Sequence, residues 1–377
     1  MTRPYFFLTP HKFLLPRISC VISGEAQQSL FIKFDFFLLD YYFYLKSYGD
    51  TIHSVRNQRM MDFKKTYASF FKSGNKLVLY FFSVFFFSGM ALTQQPVPDL
   101  SFRPPIHNPA YPEGKGPVVL VDKGHFNFHA ASGRYQPFEE ILKKDGYVVK
   151  PLNDSFHIDS LRQGKILVIV TPLAEKNKDL ENWALPVYSA FTDKEIEAVK
   201  LWVFEGGSLF LITEHMPFAG AVNRLAEVFG IVFSNGYVKG FRWSRSEGEL
   251  PDHPITNGRS EEEKIHSVSS ASGSAFRSER PVEPLLVLKP GTQSWEPERA
   301  MEFTSETRKV PVGGWFRGAV LRFGKGRVAV FGEASMFTAQ LRGPDRRPQG
   351  MNEPENKGNV QFLLNIMHWL SGLPGKE

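Results

Sequence analysis

From Val118 onward the chain alternates short, unbroken apolar runs with stretches of helical period, and few folds accommodate that order. Val118–Asp122 is one such run, closed by a carboxylate. Ile166–Thr171 is a β-branched run stopped by Pro172, and Ser208–Thr213 is another. Runs of this length without polar interruption mark strands buried on both faces, and so a parallel sheet. Between them, Pro137 to Asp145 places Phe138, Ile141 and Leu142 on one helical face and ends at Gly146. Thr192-Asp193-Lys194-Glu195 is a capping box, with Thr192 as N-cap and Glu195 at the third helical position. The helix it opens turns Ile196, Val199, Trp202 and Val203 inward and stops at Gly206-Gly207. Tyr147–Val149 reads as a further strand and Asn223–Phe229 as a further helix. Val320–Phe323 and Arg327–Phe331 are strands around a Gly324-Lys325-Gly326 turn, and Asn359–Ser371 is a terminal apolar helix. Strand–helix alternation gives right-handed crossovers, hence an open, mostly parallel α/β sheet with helices on both faces.

The segment 235–318 breaks the pattern. It is rich in Ser, Glu, Arg, Pro and Gly, with short apolar runs such as Leu285–Leu288. It is expected to be a small β-rich insertion packed on the core, mobile near Ser267–Ser278.

Ahead of Val118 lie a Pro-rich lead-in over 94–117 and an apolar run, Leu77–Phe87. That run follows the basic residues Lys64, Lys65, Lys72 and Lys76. The small residues Ser88, Gly89 and Ala91 follow it. This order is that of a secretory signal peptide over 60–93, and it predicts a secreted or periplasmic protein. The run is short of the roughly 20 residues of a membrane span, so contact with a membrane is expected only through this segment if it stays uncleaved. No cysteine follows it, which excludes a lipoprotein anchor. Residues 1–59, crowded with Phe and Tyr and without period or turn punctuation, are read as upstream sequence preceding a natural start at Met60 or Met61. The alternative is a membrane-seeking extension.

The charge also sorts by region. Residues 1–93 hold 11 of the 45 Lys/Arg and 5 of the 39 Asp/Glu, so 94–377 carries 34 of each. A formally neutral folded part does not track phosphates, and no nucleic-acid partner is expected. The one cysteine, Cys20, lies upstream; from Gln94 onward there is no thiol nucleophile and no disulfide.

The strand Val118–Asp122, the Thr171-Pro172 turn, the stretch Glu205–Ile212, the stretch Gly324–Gly332 and the last helix together resemble the class I glutamine amidotransferase-like superfamily. Within it, Thr213–Phe218 and Gly332–Phe337 resemble most closely an uncharacterised family of exported bacterial domains. The likeness spans Val118 to Leu373 apart from the insertion, and it implies a flavodoxin-like sheet. Active amidotransferases carry a Cys at the turn after the strand matched by Ser208–Thr213, with a His–Glu pair late in the chain. Here the turn reads Glu214-His215-Met216, so glutamine hydrolysis by that mechanism is ruled out. Relatives without the Cys serve as binding or assembly modules, and the trehalose-utilisation-like relatives also carry a His near this turn.

In open parallel sheets, ligands sit at the carboxyl ends of the strands. Those ends supply Asp122, His125, Asn127 and His129 after the first strand and Thr171 after the third. Glu214 and His215 follow the fourth, and Glu333 and Ser335 the last. His125, His129 and His215 with Asp122 or Glu214 have the donor types of a divalent metal site. The other reading is that each anchors a loop, and no metal or cofactor is assigned. Ser335 lacks a nucleophile elbow and serves equally as the N-cap of the next helix. Trp183, Trp243, Trp295 and Trp315 fall in loop or insertion sequence, where aromatics either stack on sugars or pack the rim. Two functions remain. One is an exported binding or assembly module with an unknown ligand or envelope protein partner. The other is a carbohydrate-directed cell-envelope hydrolase using the His/carboxylate cluster, with or without a metal.

Overall fold

The computed structural model describes residues 95–373, all within the unit that runs from Leu92 to Glu377. The expected upstream extension, 1–59, and the signal segment, 60–93, lie outside the described residues. No helix among the described residues is long and apolar enough to cross a membrane.

Nine strands build the central sheet. The first four are β1 (Val118–Asp122), β2 (Val148–Leu152), β3 (Ile166–Val170) and β4 (Ser208–Ile212). Then come β5 (Ile231–Phe233), β6 (Phe276–Ser278), β7 (Glu283–Val287), β8 (Phe316–Phe323) and β9 (Gly326–Phe331). Their order across the sheet is β2-β1-β3-β4-β9-β8-β6-β5, with β7 also on β8. The half from β2 to β9 is parallel, as the unbroken apolar runs require. From β9 outward the pairs are antiparallel. Pro151 lies in β2, at the edge, where its missing N–H costs the ladder nothing.

Four helices cover the sheet: α1 (Gln136–Lys144), α2 (Asp193–Glu205), α3 (Phe218–Glu227) and α4 (Gly358–Ser371). Successive strand residues point to opposite faces, so each strand feeds two cores. Val119, Val121, Val168 and Phe210 meet Phe138 and Ile141 of α1 and Phe362 and Ile366 of α4. On the other face Leu120, Leu167, Leu209 and Leu211 meet Val199 and Trp202 of α2 and Val222 and Leu225 of α3. Helices thus lie on both faces. The α2 capping box forms as read: Thr192 Oγ1 accepts from the Glu195 amide, and the Thr192 amide donates to Glu195 Oε2 at 2.9 Å.

Several expectations need correction. The segment 235–318 is no separate appendage, because β6, β7 and the start of β8 extend the central sheet itself. Ser267–Ser278 carries three short strands, held in part by Asn359, whose amide donates to Ser269 O at 2.8 Å. Trp243 is not a rim residue. It is fully buried, with Nε1 donating to Val287 O at 2.6 Å. Trp183 packs against Phe128 and Phe218 beneath the loops. The helix expected from Asn223 begins five residues earlier, at Phe218. The lead-in contributes a two-residue strand, Val97–Pro98, against the hairpin of Ala339–Arg342 and Arg347–Gly350.

Candidate functional site

The register that aligns Phe331 of β9 with Ile212 of β4, and Ile212 with Val170 of β3, ends these strands side by side. The residues that follow each strand are therefore set along one edge. They form two networks there.

The first surrounds His125. Its Nδ1 is 2.8 Å from Asp122 Oδ1 and its Nε2 is 2.8 Å from Glu195 Oε1. A carboxylate can only accept, so between the two both ring nitrogens are placed to donate, which favours the imidazolium. Burial alone would lower its pKa. The hydrogen bonds and charges of Asp122 and Glu195 outweigh burial and raise it. Asn127 completes the arrangement by donating to Asp122 Oδ2 at 2.8 Å and accepting from the His125 amide at 3.0 Å. Phe156 and Phe191 close over the ring, with centroids at 4.5 and 4.8 Å. Glu195 had been assigned only a capping role. Its Oε2 caps α2 while its Oε1 also accepts from the Phe156 amide at 3.1 Å, so one side chain ties three loops together.

The second network lies over β4 and β9. Glu214 Oε1 accepts from the Ala334 amide at 3.1 Å. Glu333 Oε1 accepts from the Ser335 hydroxyl and from the Met336 amide at 3.0 Å, while its Oε2 has no protein partner. Ser335 therefore serves Glu333; the N-cap of the 3-10 turn Ser335–Phe337 is Ala334. Burial, followed by the charge of Glu214, pushes the Glu333 pKa up to about 8. Arg317, fully buried in β8, donates from Nη2 to Lys239 O at 2.9 Å. Tyr135 donates to Ala334 O at 2.7 Å. Neither residue was singled out from the sequence. An Arg inside an apolar run was the available signal for Arg317, since a buried cation needs compensating charge.

Between the networks, His129 sits in the one-turn helix Phe128–Ala131. The Thr171 hydroxyl accepts from the His129 amide at 3.2 Å and lies 3.0 Å from its Nδ1. Burial, with the charges of Arg134 and His215 adding, lowers the His129 pKa to about 3, so the ring is neutral. Thr171 reaches this position with φ +42°, and Phe126 nearby has φ +47°. Left-handed backbone at non-glycine residues costs on the order of 1–3 kcal/mol and collects at functional edges.

His215 bonds within its own turn. Its Nδ1 donates to the carbonyl of the next residue, Met216, at 2.7 Å, and its Nε2 stands 3.6 Å from Glu214 Oε2. Its side chain keeps 17% of its exposure, more than the 7% of Glu214 beside it. The sequence-derived metal donors are thus divided. His125 belongs to the Asp122–Glu195 clamp, His129 to Thr171, and His215 to its own turn. Among the described residues no group of three or more His, Cys, Asp or Glu side chains is placed to hold a metal ion. A groove of about 540 Å³ lies off this edge, between Phe156–Asp159 and the outer face of α2.

No family model matches the chain, and no curated protein matches it either. Among solved structures it is similar to the mmIFT52 N-terminal domain, at 14% identity over 67% of this chain and 97% of that one, with a TM-score of 0.44. It is also similar to a ThuA-like protein from Bacteroides uniformis, at 13% identity over 71% of this chain and 94% of that one, TM-score 0.39. A ThuA-like protein from Parabacteroides merdae gives 12% identity over 70% and 93%, TM-score 0.39. ThuA-like proteins have a class I glutamine amidotransferase-like fold. Likeness at this level concerns the course of the chain and not its chemistry.

Proposed function

We propose that this is an exported binding or assembly module of amidotransferase-like fold without glutaminase activity. The observation that carries the reading is how the polar groups at the strand ends are used. Asp122, His125, Asn127, His129, Thr171, Glu333 and Ser335 bond to one another, and Glu214 to the Ala334 amide. A catalytic group needs a free lone pair or proton aimed at substrate. Of the candidate residues only His215 is not buried, and its Nε2 is 3.6 Å from Glu214 Oε2; the partnerless Glu333 Oε2 is fully enclosed. The turn that would hold a nucleophilic Cys carries Glu214 and His215 instead. The order β2-β1-β3-β4-β9 supports a flavodoxin-like wiring, since numbered along the chain it reads 2-1-3-4-5. The run Leu77–Phe87 supports export. We place the chain nearest the uncharacterised exported family without the Cys, with an unknown ligand or envelope protein as partner.

Purified protein is expected to release neither ammonia from glutamine nor reducing ends from envelope polysaccharide. His215→Ala should change stability by less than about 1 kcal/mol, because the bond it removes is local and partly exposed. Turnover that His215→Ala abolishes would establish the hydrolase reading in its place. Export is checked by N-terminal sequencing of the released protein, expected to begin near Ala91 or Thr93. A terminus upstream of Met60 would overturn both the start and the signal segment.

A further inference from the structure

Three aromatic rings lead away from His215 across the loops at the carboxyl edge. The Tyr237 ring lies 6.0 Å from His215, Phe303 lies 5.6 Å from Tyr237, and Trp295 lies 6.0 Å from Phe303. None of the three packs into any of the hydrophobic clusters of the described residues, and Phe303 is 39% exposed. Two of them are held by the backbone. Tyr237 and Trp295 exchange both backbone hydrogen bonds, at 2.7 and 2.9 Å. Rings that folding leaves partly open, with two of the three held by backbone bonds, are suited to a ligand, because little freedom is lost when it binds.

The polar groups at the head of this run narrow the chemistry. The His215 Nδ1 proton is committed to Met216 O, which leaves Nε2 as an acceptor when the ring is neutral. Glu214 Oε2 is 3.6 Å away and is a second acceptor. At the far end Arg308 pairs with Glu296 at 3.1 Å, and Lys309 lies over the Trp295 ring at 4.2 Å, so no free cationic patch asks for phosphate. Aromatic faces next to acceptors, without net charge, match a molecule with a C–H face and hydroxyl donors at its rim.

We propose that the surface from His215 through Tyr237 and Phe303 to Trp295 binds a neutral, pyranose-containing glycan. A sugar ring lies on Phe303 and the open parts of Tyr237 and Trp295, and its hydroxyls donate to His215 Nε2 and Glu214. This assignment rests on the reading of the domain as a binding module and names its ligand class.

The test titrates the full chain with cellohexaose, mannohexaose, chitohexaose and the N-acetylglucosamine–N-acetylmuramic acid disaccharide, followed by calorimetry and tryptophan fluorescence. Saturable binding of at least one is expected. Phe303→Ala and Trp295→Ala should weaken it at least tenfold with Tm nearly unchanged, and Phe303→Tyr should restore it. No binding of any probe, or binding that both alanine variants leave intact, would overturn the glycan assignment and leave the module reading standing. Cleavage of a bound oligosaccharide, seen by chromatography, would instead keep the glycan class and overturn the module reading.

Discussion

Trp202→Ala is expected to cost about 3–5 kcal/mol of folding stability, as large-to-small changes in a packed core do. The side chain is 3% exposed and lies among Val199, Leu209, Leu211 and Val328, between α2 and the sheet. Its surroundings are built around its volume. A Cβ at Gly207 would come within 2.3 Å of the indole, so the glycine after α2 is there partly to make room for the ring. The carbonyl of Trp202 accepts from the Gly207 amide at 2.9 Å, which couples the helix end to the entry of β4. That rigidity limits collapse of the surroundings into the space left by alanine, and poor collapse is what makes such substitutions expensive. Urea unfolding checks it: the midpoint should fall with little change in m-value. A loss below about 1 kcal/mol would place Trp202 at the surface and overturn the phase assigned to α2.

The phase of that helix was legible because it depends on local order alone. Ile196, Val199, Trp202 and Val203 fall on one face, and the capping box marks where the face begins. The same holds for β1, whose bounds match the apolar run to the residue, and for β3 and β4, each one residue shorter than read. What could not be read was contact between distant residues. Glu195 had a sufficient local explanation as a capping residue, and this concealed its partner His125, 70 positions earlier. His215 was a candidate metal donor or loop anchor, whereas its bond is to the adjacent carbonyl. The insertion was misjudged for a related reason. Its strands are short and mixed in composition because they are antiparallel and partly exposed, and nothing local shows that β6 and β7 join β8. The residues read at the strand ends lie along one edge of the sheet. Which of them share a network is decided by tertiary packing.

Raising the pH from 5 to 8 is expected to remove about 3–4 kcal/mol of stability through Glu333, on the basis of about 1.4 kcal/mol per pKa unit. Burial and the charge of Glu214 both favour the protonated form and lift Glu333 from 4.5 to about 8. Its folded pKa is thus above its unfolded value, so the folded state binds the extra proton. The contribution is complete below pH 4.5 and is lost as the pH rises through about 8. Two other groups titrate nearby. His129, lowered from 6.5 to about 3, acts in the opposite sense, adding stability above pH 6.5 that is lost as the pH falls toward 3. His125, raised above 6.5, loses its contribution as the pH rises, in the same direction as Glu333. The variant Glu333→Gln separates them. It keeps the shape of the protonated acid and removes its titration, so the difference between wild type and variant reports Glu333 alone. That difference should widen by about 3–4 kcal/mol from pH 5 to pH 8 in denaturant titrations, with the variant the more stable at pH 8. Arg317 bears on the same balance, since its positive charge opposes the rise in the Glu333 pKa. Parallel stability curves for the two proteins across this range would mean that Glu333 is ionised throughout, held by Arg317 against the cost of burial.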